Sequence, residues 1–265
     1  MLWIQVLILA VIQGITEFLP ISSSGHVIVG ASLFDQFGEM MTEKLTLNIV
    51  LHVGTLASIL VFFRDRIFAL LGRDRRVIGL LVVGTLPAIG IGLLLKASPL
   101  GSGIERTLES PLVAGLMFPV TGAMLLWAMR HEGGQLACRE ISYRHALVIG
   151  LFQAFAVLPG ISRSGSTIVA SLGSGLRREE AAVFSFLLAI PALAGGGLLE
   201  LIDLYRKGPG DTPGAMLVAG GFVSFAVGLF ALWWLLLWIR QGRLGLFAWY
   251  LMPLGAAVLL WQLLG

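Results

Sequence analysis

Four polar residues in apolar surroundings have the side-chain types that phosphate chemistry uses: Glu17, Ser23, His26 and Arg163. A hydroxyl attacks phosphorus, a carboxylate or imidazole accepts its proton, and a guanidinium offers paired donors to phosphate oxygens. Ser23 and His26 are three residues apart, so on a helix they share a face, as a nucleophile and its proton partner need. The nucleophile stays open between Ser23, His26 and a metal-bound water.

Two short segments rich in serine and glycine follow a proline, at residues 20–25 and 159–165. Serine is preferred at the start of a helix, where free N–H groups and the helix dipole attract phosphate. We therefore predict two half-helices that form opposed phosphate cradles and together suit a pyrophosphate. The cradle residues are Ser22, Ser24, Gly25, Ser162, Ser164, Gly165, Ser166 and Thr167.

Glu17 would repel a pyrophosphate unless a divalent cation lay between them. Mg²⁺ is commonly held by one or two carboxylates together with substrate phosphates, and Ca²⁺ also takes oxygen ligands. We therefore expect a divalent cation, Mg²⁺ or Ca²⁺, at Glu17. Gln13 lies four residues earlier on the same helical face and is a second candidate ligand. The alternative for Glu17 is a purely structural ion pair with Arg163.

The rest of the chain has the composition of a membrane protein. Of 265 residues, 57% are hydrophobic and 12% are charged, whereas soluble domains are about half apolar and about a quarter charged. The net charge is only +3, and we predict no nucleic-acid partner. Cys138 is the only cysteine, which excludes an internal disulfide and a cysteine-based metal cluster. Ionisable groups inside such a chain are functional candidates by default.

Apolar stretches long enough to cross a bilayer, which takes about 20 residues, occur at 46–63, 77–96, 111–129, 181–203, 215–239 and 246–264. Two further stretches, 2–33 and 146–173, are interrupted by proline, glycine and serine. A break at membrane depth must be buried in protein or line a wet cavity. We predict an all-α integral membrane protein with six transmembrane helices and two re-entrant helical hairpins, in one membrane domain of residues 1–265.

The two interrupted stretches align without gaps at an offset of 140 residues, which pairs Gln13 with Gln153 and Ser22 with Ser162. The chain is therefore interpreted as an internal duplication, with repeat one at about 1–130 and repeat two at about 140–265. Three crossings per repeat invert the second repeat relative to the first and place the site at their interface. Twelve of the 18 Lys and Arg residues fall on one predicted face and five on the other, which supports this topology.

The sequences QGITEFLPISSSGH at residues 13–26, LPGISRSGST at 158–167 and FSFLLAIP at 184–191 resemble the bacterial undecaprenyl-diphosphate phosphatase family, the type associated with bacitracin resistance. The likeness covers essentially the whole chain. It implies release of phosphate from undecaprenyl diphosphate, a divalent metal, and a multi-pass protein of the bacterial inner membrane whose site opens to the periplasm. It also implies functional roles for Glu17, Ser23, His26 and Arg163. Many members carry Glu where this chain has Gln13.

The favoured function is hydrolysis of a polyprenyl diphosphate, which recycles the lipid carrier of cell-wall synthesis. A polyprenyl-phosphate flippase or transporter is the alternative, because inverted repeats with broken helices are common among carriers. A carrier needs only binding, so a hydroxyl and an imidazole beside a carboxylate and a guanidinium favour an enzyme. A structural scaffold would leave Glu17 and Arg163 unexplained. Asn48 and His52 are secondary candidates for the site, and a homodimer is among the expected assemblies.

Overall fold

The computed structural model describes residues 2–36, 44–97, 103, 107–130, 133–207 and 213–264. Within these ranges the long regular elements are α-helices, and an isolated bridge joins Leu136 to Leu176. In chain order the helices are α1 Leu2–Thr16, α2 Ser23–Gln36, α3 Lys44–Phe62, α4 Arg64–Leu70, α5 Arg75–Ala97, α6 Pro111–Met129, α7 Tyr143–Phe155, α8 Arg163–Gly173, α9 Arg178–Lys207, α10 Gly214–Arg240 and α11 Leu246–Leu264. A 3-10 turn, Cys138–Glu140, precedes α7.

Five of these helices are long and apolar enough to cross a membrane: α5, α6, α9, α10 and α11. Helix α3 adds a sixth if it is counted together with α4, from which it is bent by 74°. Helices α5 and α9 begin before the predicted crossings, at Arg75 and Arg178. The crossings were predicted from apolar residues alone, whereas each helix also includes a charged first turn. The sequence did not predict α4. The chain is a multi-pass membrane protein.

The outer surfaces of the long helices are apolar. Leu94 of α5, Val218 of α10 and Trp249 of α11 are 70%, 74% and 73% exposed. Soluble monomers rarely expose contiguous apolar surface on this scale, and lipid acyl chains would cover it.

Both interrupted stretches are broken where the sequence places proline. Helix α1 ends at Thr16 and α2 begins at Ser23, while α7 ends at Phe155 and α8 begins at Arg163. Proline lacks an N–H group and disfavours helix at the residue before it. Each new helix is then capped by a serine hydroxyl: Ser22 accepts the N–H of Gly25 at 3.3 Å, and Ser162 accepts that of Gly165 at 3.1 Å.

The two breaks contact each other directly. The N–H of Gly160 donates to Ser22 Oγ at 3.1 Å, and Ser164 Oγ donates to the carbonyl oxygen of Leu19 at 3.3 Å. Gly160 has φ +92°, and a Cβ there would lie 2.5 Å from the carbonyl oxygen of Ala114, so this position requires glycine. These bonds satisfy backbone groups that the breaks leave free, as burial in a membrane protein demands.

Thr121 of α6 forms hydrogen bonds with the backbone of the second break. Its hydroxyl accepts the N–H of Ser162 at 3.1 Å and donates to the carbonyl oxygen of Gly160 at 2.8 Å. Around the breaks, α1 packs along α10, α5 along α7 and α6 along α11. At the 140-residue offset, α1 corresponds to α7 and α5 to α10. The packing of α1 on α10 in one repeat therefore corresponds to the packing of α7 on α5 in the other.

Candidate active site

A cavity of about 140 Å³ lies where the two breaks meet. The first half of the chain contributes Thr16, Glu17, Ser22, Ser23 and Ser24 to its lining, and the second half contributes Ala156, Ile161, Ser162 and Arg163. Helices α2 and α8 both begin at this cavity. The first N–H groups of a helix have no partner within the helix, so two such ends offer donors to an anion.

An ion pair between Glu17 and Arg163 joins the two halves of the chain. Arg163 Nη2 donates to Glu17 Oε1 at 2.6 Å, and the two side chains are 19% and 6% exposed, respectively. Charges as buried as these are costly unless they are paired and hydrogen-bonded. Each side chain therefore depends on the other for its charge balance.

The second carboxylate oxygen of Glu17 is contacted by three polar side chains. Glu17 Oε2 accepts Gln13 Nε2 at 3.2 Å and Ser23 Oγ at 3.3 Å. His52 Nε2 lies 3.9 Å from the same oxygen, so this secondary candidate does reach the cluster. Because the Ser23 hydroxyl donates to Glu17, the carboxylate is placed to accept the serine proton.

His26 has partners other than Ser23. Its Nδ1 is 2.7 Å from the carbonyl oxygen of Ser22, and its Nε2 is 2.8 Å from the hydroxyl of Tyr250. A carbonyl only accepts, so Nδ1 donates and Nε2 accepts the tyrosine hydroxyl. Ser23 and His26 are not hydrogen-bonded to each other, because the serine is turned to Glu17 and the imidazole to the Ser22 carbonyl and to Tyr250 of α11.

The predicted phosphate-binding residues divide into two groups. Ser22, Ser24 and Ser162 line the cavity, although the hydroxyls of Ser22 and Ser162 also act as helix caps. The others do not line it: Gly25, Ser164, Gly165, Ser166 and Thr167.

Helix geometry explains why Ser166 and Thr167 lie away from the cavity. Residues three and four positions after Arg163 lie over its carbonyl oxygen, and the hydroxyls of Ser166 and Thr167 donate to that oxygen at 3.1 and 2.8 Å. Both side chains are buried, with residue exposures of 0% and 1%. Their hydroxyls therefore bond within the first turn of α8 and do not line the cavity, and their direct contact with phosphate stays a prediction.

Tyr250 and Thr121 contact site residues but were not singled out from the sequence. Tyr250 is 224 residues from His26, on which its ring stacks. Both lie in apolar helices with no local motif around them, so no sequence signal could have identified them. Asn48 instead donates to Glu200 at 3.1 Å.

Within the described part of the chain, Glu17 is the one residue that brings a carboxylate to the cavity. Among the described residues no group of three or more His, Cys, Asp or Glu side chains comes together as a metal cage. The donor set fits a hard cation held jointly by one carboxylate and phosphate oxygens, which is a usual arrangement for Mg²⁺. Gln13 would offer its amide oxygen as a further ligand.

The charged residues of the cavity are not duplicated, although the frame around them is. At the 140-residue offset, Glu17 aligns with Val157 and Arg163 aligns with Ser23. Each repeat therefore supplies groups that the other lacks, and the cluster is complete only where both meet.

Comparisons with known proteins cover nearly the whole chain. The family model described as "Bacitracin resistance protein BacA" matches residues 6–257. A protein of Rhodopirellula baltica named undecaprenyl-diphosphatase is 49% identical over 261 residues, which cover 98% of each chain. Proteins of the same name from Desulfatibacillum aliphaticivorans and, with the number 3, from Bacillus cereus are 42% and 37% identical. The match to the Desulfatibacillum protein covers 97% of this chain and 98% of that protein. The match to the Bacillus protein covers 98% of this chain and 97% of that protein.

Proposed function

This chain belongs to the bacitracin resistance protein BacA family, and from that membership we propose that it hydrolyses undecaprenyl diphosphate to undecaprenyl phosphate and inorganic phosphate. It is a membrane phosphatase that recycles the lipid carrier of peptidoglycan synthesis. The observation that carries this function is the contact of Ser23 and Arg163 with the two oxygens of Glu17, at the point where two helix starts meet.

In the proposed reaction, Ser23 Oγ attacks the terminal phosphorus of the pyrophosphate. The hydroxyl proton passes to Glu17, a new O–P bond forms on the serine, and the anhydride P–O bond breaks to release undecaprenyl phosphate. Water then attacks the phosphoserine, which releases inorganic phosphate and returns the proton to Ser23. The 3.3 Å contact between Ser23 Oγ and Glu17 Oε2 supports this assignment.

Arg163 is assigned to the phosphate oxygens. Its Nη2 is engaged by Glu17, while the remaining guanidinium donors are available to an incoming phosphate. Ser22, Ser24, Ser162 and the free N–H groups of α2 and α8 complete the proposed cradle. Donors fixed before substrate arrives stabilise developing charge without reorganisation.

A divalent cation, Mg²⁺ or Ca²⁺, is proposed at Glu17, with Gln13 as a second ligand. When bound, it would neutralise pyrophosphate charge and polarise a phosphoryl oxygen. It would also separate the charge of Glu17 from that of the pyrophosphate, while Arg163 keeps Nη2 on Glu17.

His26 is kept as the alternative nucleophile or proton partner. In that role its ring would have to turn away from Tyr250, to which Nε2 is bonded at 2.8 Å. In the present arrangement the imidazole instead ties the start of α2 to α11.

The proposed topology is an inverted repeat of six crossings and two re-entrant hairpins in the bacterial inner membrane. The interlocked breaks and the counterpart pairs α1 with α10 and α5 with α7 support it. The arginine-rich loops are assigned to the cytoplasm, and the cavity is assigned an opening to the periplasm. A homodimer stays a prediction, to be checked by the mass of the solubilised protein.

The function is tested with purified protein in detergent and undecaprenyl diphosphate, by measuring inorganic phosphate. A phosphatase releases phosphate without a second compartment, whereas a flippase for the same lipid does not. We expect turnover by the wild type, loss of turnover with EDTA and recovery with added Mg²⁺ or Ca²⁺. Absence of phosphate release from a folded preparation with either cation present would leave the carrier alternative.

A further inference from the structure

A second cavity, of about 230 Å³, lies where α5 and α9 begin and shares no lining residue with the catalytic cavity. The 3-10 turn Cys138–Glu140 contributes to its wall. Helices α5 and α9 are both long and apolar enough to span a membrane. Their first turns therefore lie at the level of lipid headgroups, on the face that carries most of the arginines.

The charges around this cavity have an excess of positive sign. Four arginines, Arg66, Arg73, Arg139 and Arg177, and two carboxylates, Asp74 and Glu180, line it. The buried Glu180 is already satisfied, because Arg66 and Arg177 reach it at 2.7 and 3.4 Å and the N–H of Cys138 donates to it at 2.9 Å.

Arg73 and Arg139 are much less engaged. Each approaches Asp74 only at the outer limit of an ion pair, at 3.8 and 3.9 Å. Their side chains are 74% and 58% exposed. Two guanidinium groups thus keep donors free for an anion, and an Arg fork suits phosphate geometry. The starts of α5 and α9 add the positive ends of two helix dipoles.

The floor of the cavity is apolar. Val77, Val183 and Leu187 line it and are buried. A water takes up about 30 Å³ in the liquid, so the space suits a larger group than one or two waters. Arginines prefer the cytoplasmic face of a membrane protein, which explains why several of them lie here. That preference does not explain why they surround a cavity with an apolar floor between two spanning helices.

We propose that this cavity binds the phosphate group of an anionic phospholipid from the surrounding leaflet, with the glycerol and first acyl carbons over the apolar floor. Arg73 and Arg139 hold the phosphate, and the other two arginines hold Glu180. Basic pockets between spanning helices at the cytoplasmic surface are a known means of recognising anionic headgroups.

The test uses the full-length protein in a neutral detergent at fixed ionic strength. Thermal unfolding is followed while phosphatidylglycerol, phosphatidylcholine or sodium phosphate is added. We expect phosphatidylglycerol alone to raise the melting temperature of the wild type. In Arg73→Gln/Arg139→Gln, half-saturation should need about thirtyfold more phosphatidylglycerol, because each cation near a membrane surface contributes about a factor of five.

The matched control is Arg130→Gln/Arg243→Gln, which removes two exposed arginines that do not line the cavity. It should respond like the wild type, and so should Arg163→Lys, whose change lies in the catalytic cluster. If the double variant is not recovered folded, Arg139→Gln alone is compared with Arg130→Gln by counting retained phosphatidylglycerol in native mass spectrometry. Equal responses of the cavity and control variants overturn the proposal. A shift produced by sodium phosphate alone overturns the lipid as occupant.

Discussion

Removing one partner of the Glu17–Arg163 ion pair should cost far more stability than removing one partner of an exposed pair. The buried pair has a 2.6 Å contact and side chains that are 6% and 19% exposed. The pair of Arg240 and Glu179 has a similar contact, 2.9 Å, but its side chains are 56% and 50% exposed. The two pairs therefore differ chiefly in burial and form a matched comparison.

The magnitude follows from this burial. Unit charges about 4 Å apart attract by about 4 kcal/mol at an effective dielectric constant of about 20, and a stranded buried charge costs about 3 to 5 kcal/mol. Glu17 retains the donors Gln13 and Ser23, so Arg163→Gln should cost about 3 kcal/mol, at the lower end of this range. For a chain of this size that corresponds to a fall in melting temperature of about 6 to 12 °C. Arg240→Gln should cost about 1 kcal/mol or less.

The assay is thermal unfolding in detergent, followed by circular dichroism, on both single variants, Glu17→Gln and Arg163→Gln, and on the double variant. Glu17→Gln should cost less than Arg163→Gln, because the remaining guanidinium is the more exposed group. The double variant strands no charge, so its loss should be smaller than the sum of the two single losses. Additive losses, or an Arg163→Gln loss no larger than that of Arg240→Gln, would refute this account of the pair.

Four further predictions concern the cation, the tight glycine, the orientation and the buried thiol. Gln13→Glu places a second carboxylate beside Glu17, so its melting temperature should fall in EDTA and recover with Mg²⁺ by more than that of the wild type; an equal response to Mg²⁺ would count against a cation at Glu17. Gly160→Ala forces a Cβ to within 2.5 Å of the carbonyl oxygen of Ala114 at φ +92°, whereas a Cβ at Gly195 meets nothing within 4 Å. Gly160→Ala should therefore lower the free energy of unfolding by at least about 2 kcal/mol, whereas Gly195→Ala should leave it nearly unchanged. Equal melting temperatures of the two variants would contradict this expectation. In intact cells, Glu109→Cys should react with impermeant thiol reagents and Gly72→Cys should not. The reverse pattern would overturn the proposed orientation. Most of the loop at 101–109 lies outside the described residues. Burial raises the pKa of the native Cys138 thiol, so that residue should stay unlabelled until the protein unfolds, as mass spectrometry would show.

Much of the frame was predictable because its signals are local. Pro20 and Pro159 end α1 and α7 through the chemistry of proline itself, and the serines after them are ordinary helix caps. The apolar stretches at 111–129 and 246–264 match α6 and α11 at both ends. Helix α4 was missed because Arg64, Asp65 and Arg66 interrupt the apolar pattern although the backbone remains helical.

The site was less predictable, because it is assembled from distant parts of the chain. Glu17 and Arg163 stood out as charges in apolar stretches, and their contact across 146 residues follows the expected meeting of the two breaks. The hydrogen bond from Ser23 to Glu17 could not be read from the sequence, because helical spacing shows which residues share a face but not which neighbour a side chain contacts. The Ser22 carbonyl and Tyr250 hold His26, and neither contact has a sequence signature.

If Ser23, activated by Glu17, attacks phosphorus, Ser23→Ala should lose phosphate release from undecaprenyl diphosphate. Ser24→Ala is the matched control, since Ser24 lines the same cavity at the next position of α2. We expect turnover by folded, membrane-inserted Ser23→Ala to fall by about a thousandfold or more, while Ser24→Ala stays within about tenfold of the wild type. Near-wild-type turnover by Ser23→Ala would exclude serine as the nucleophile and leave His26 or a metal-bound water.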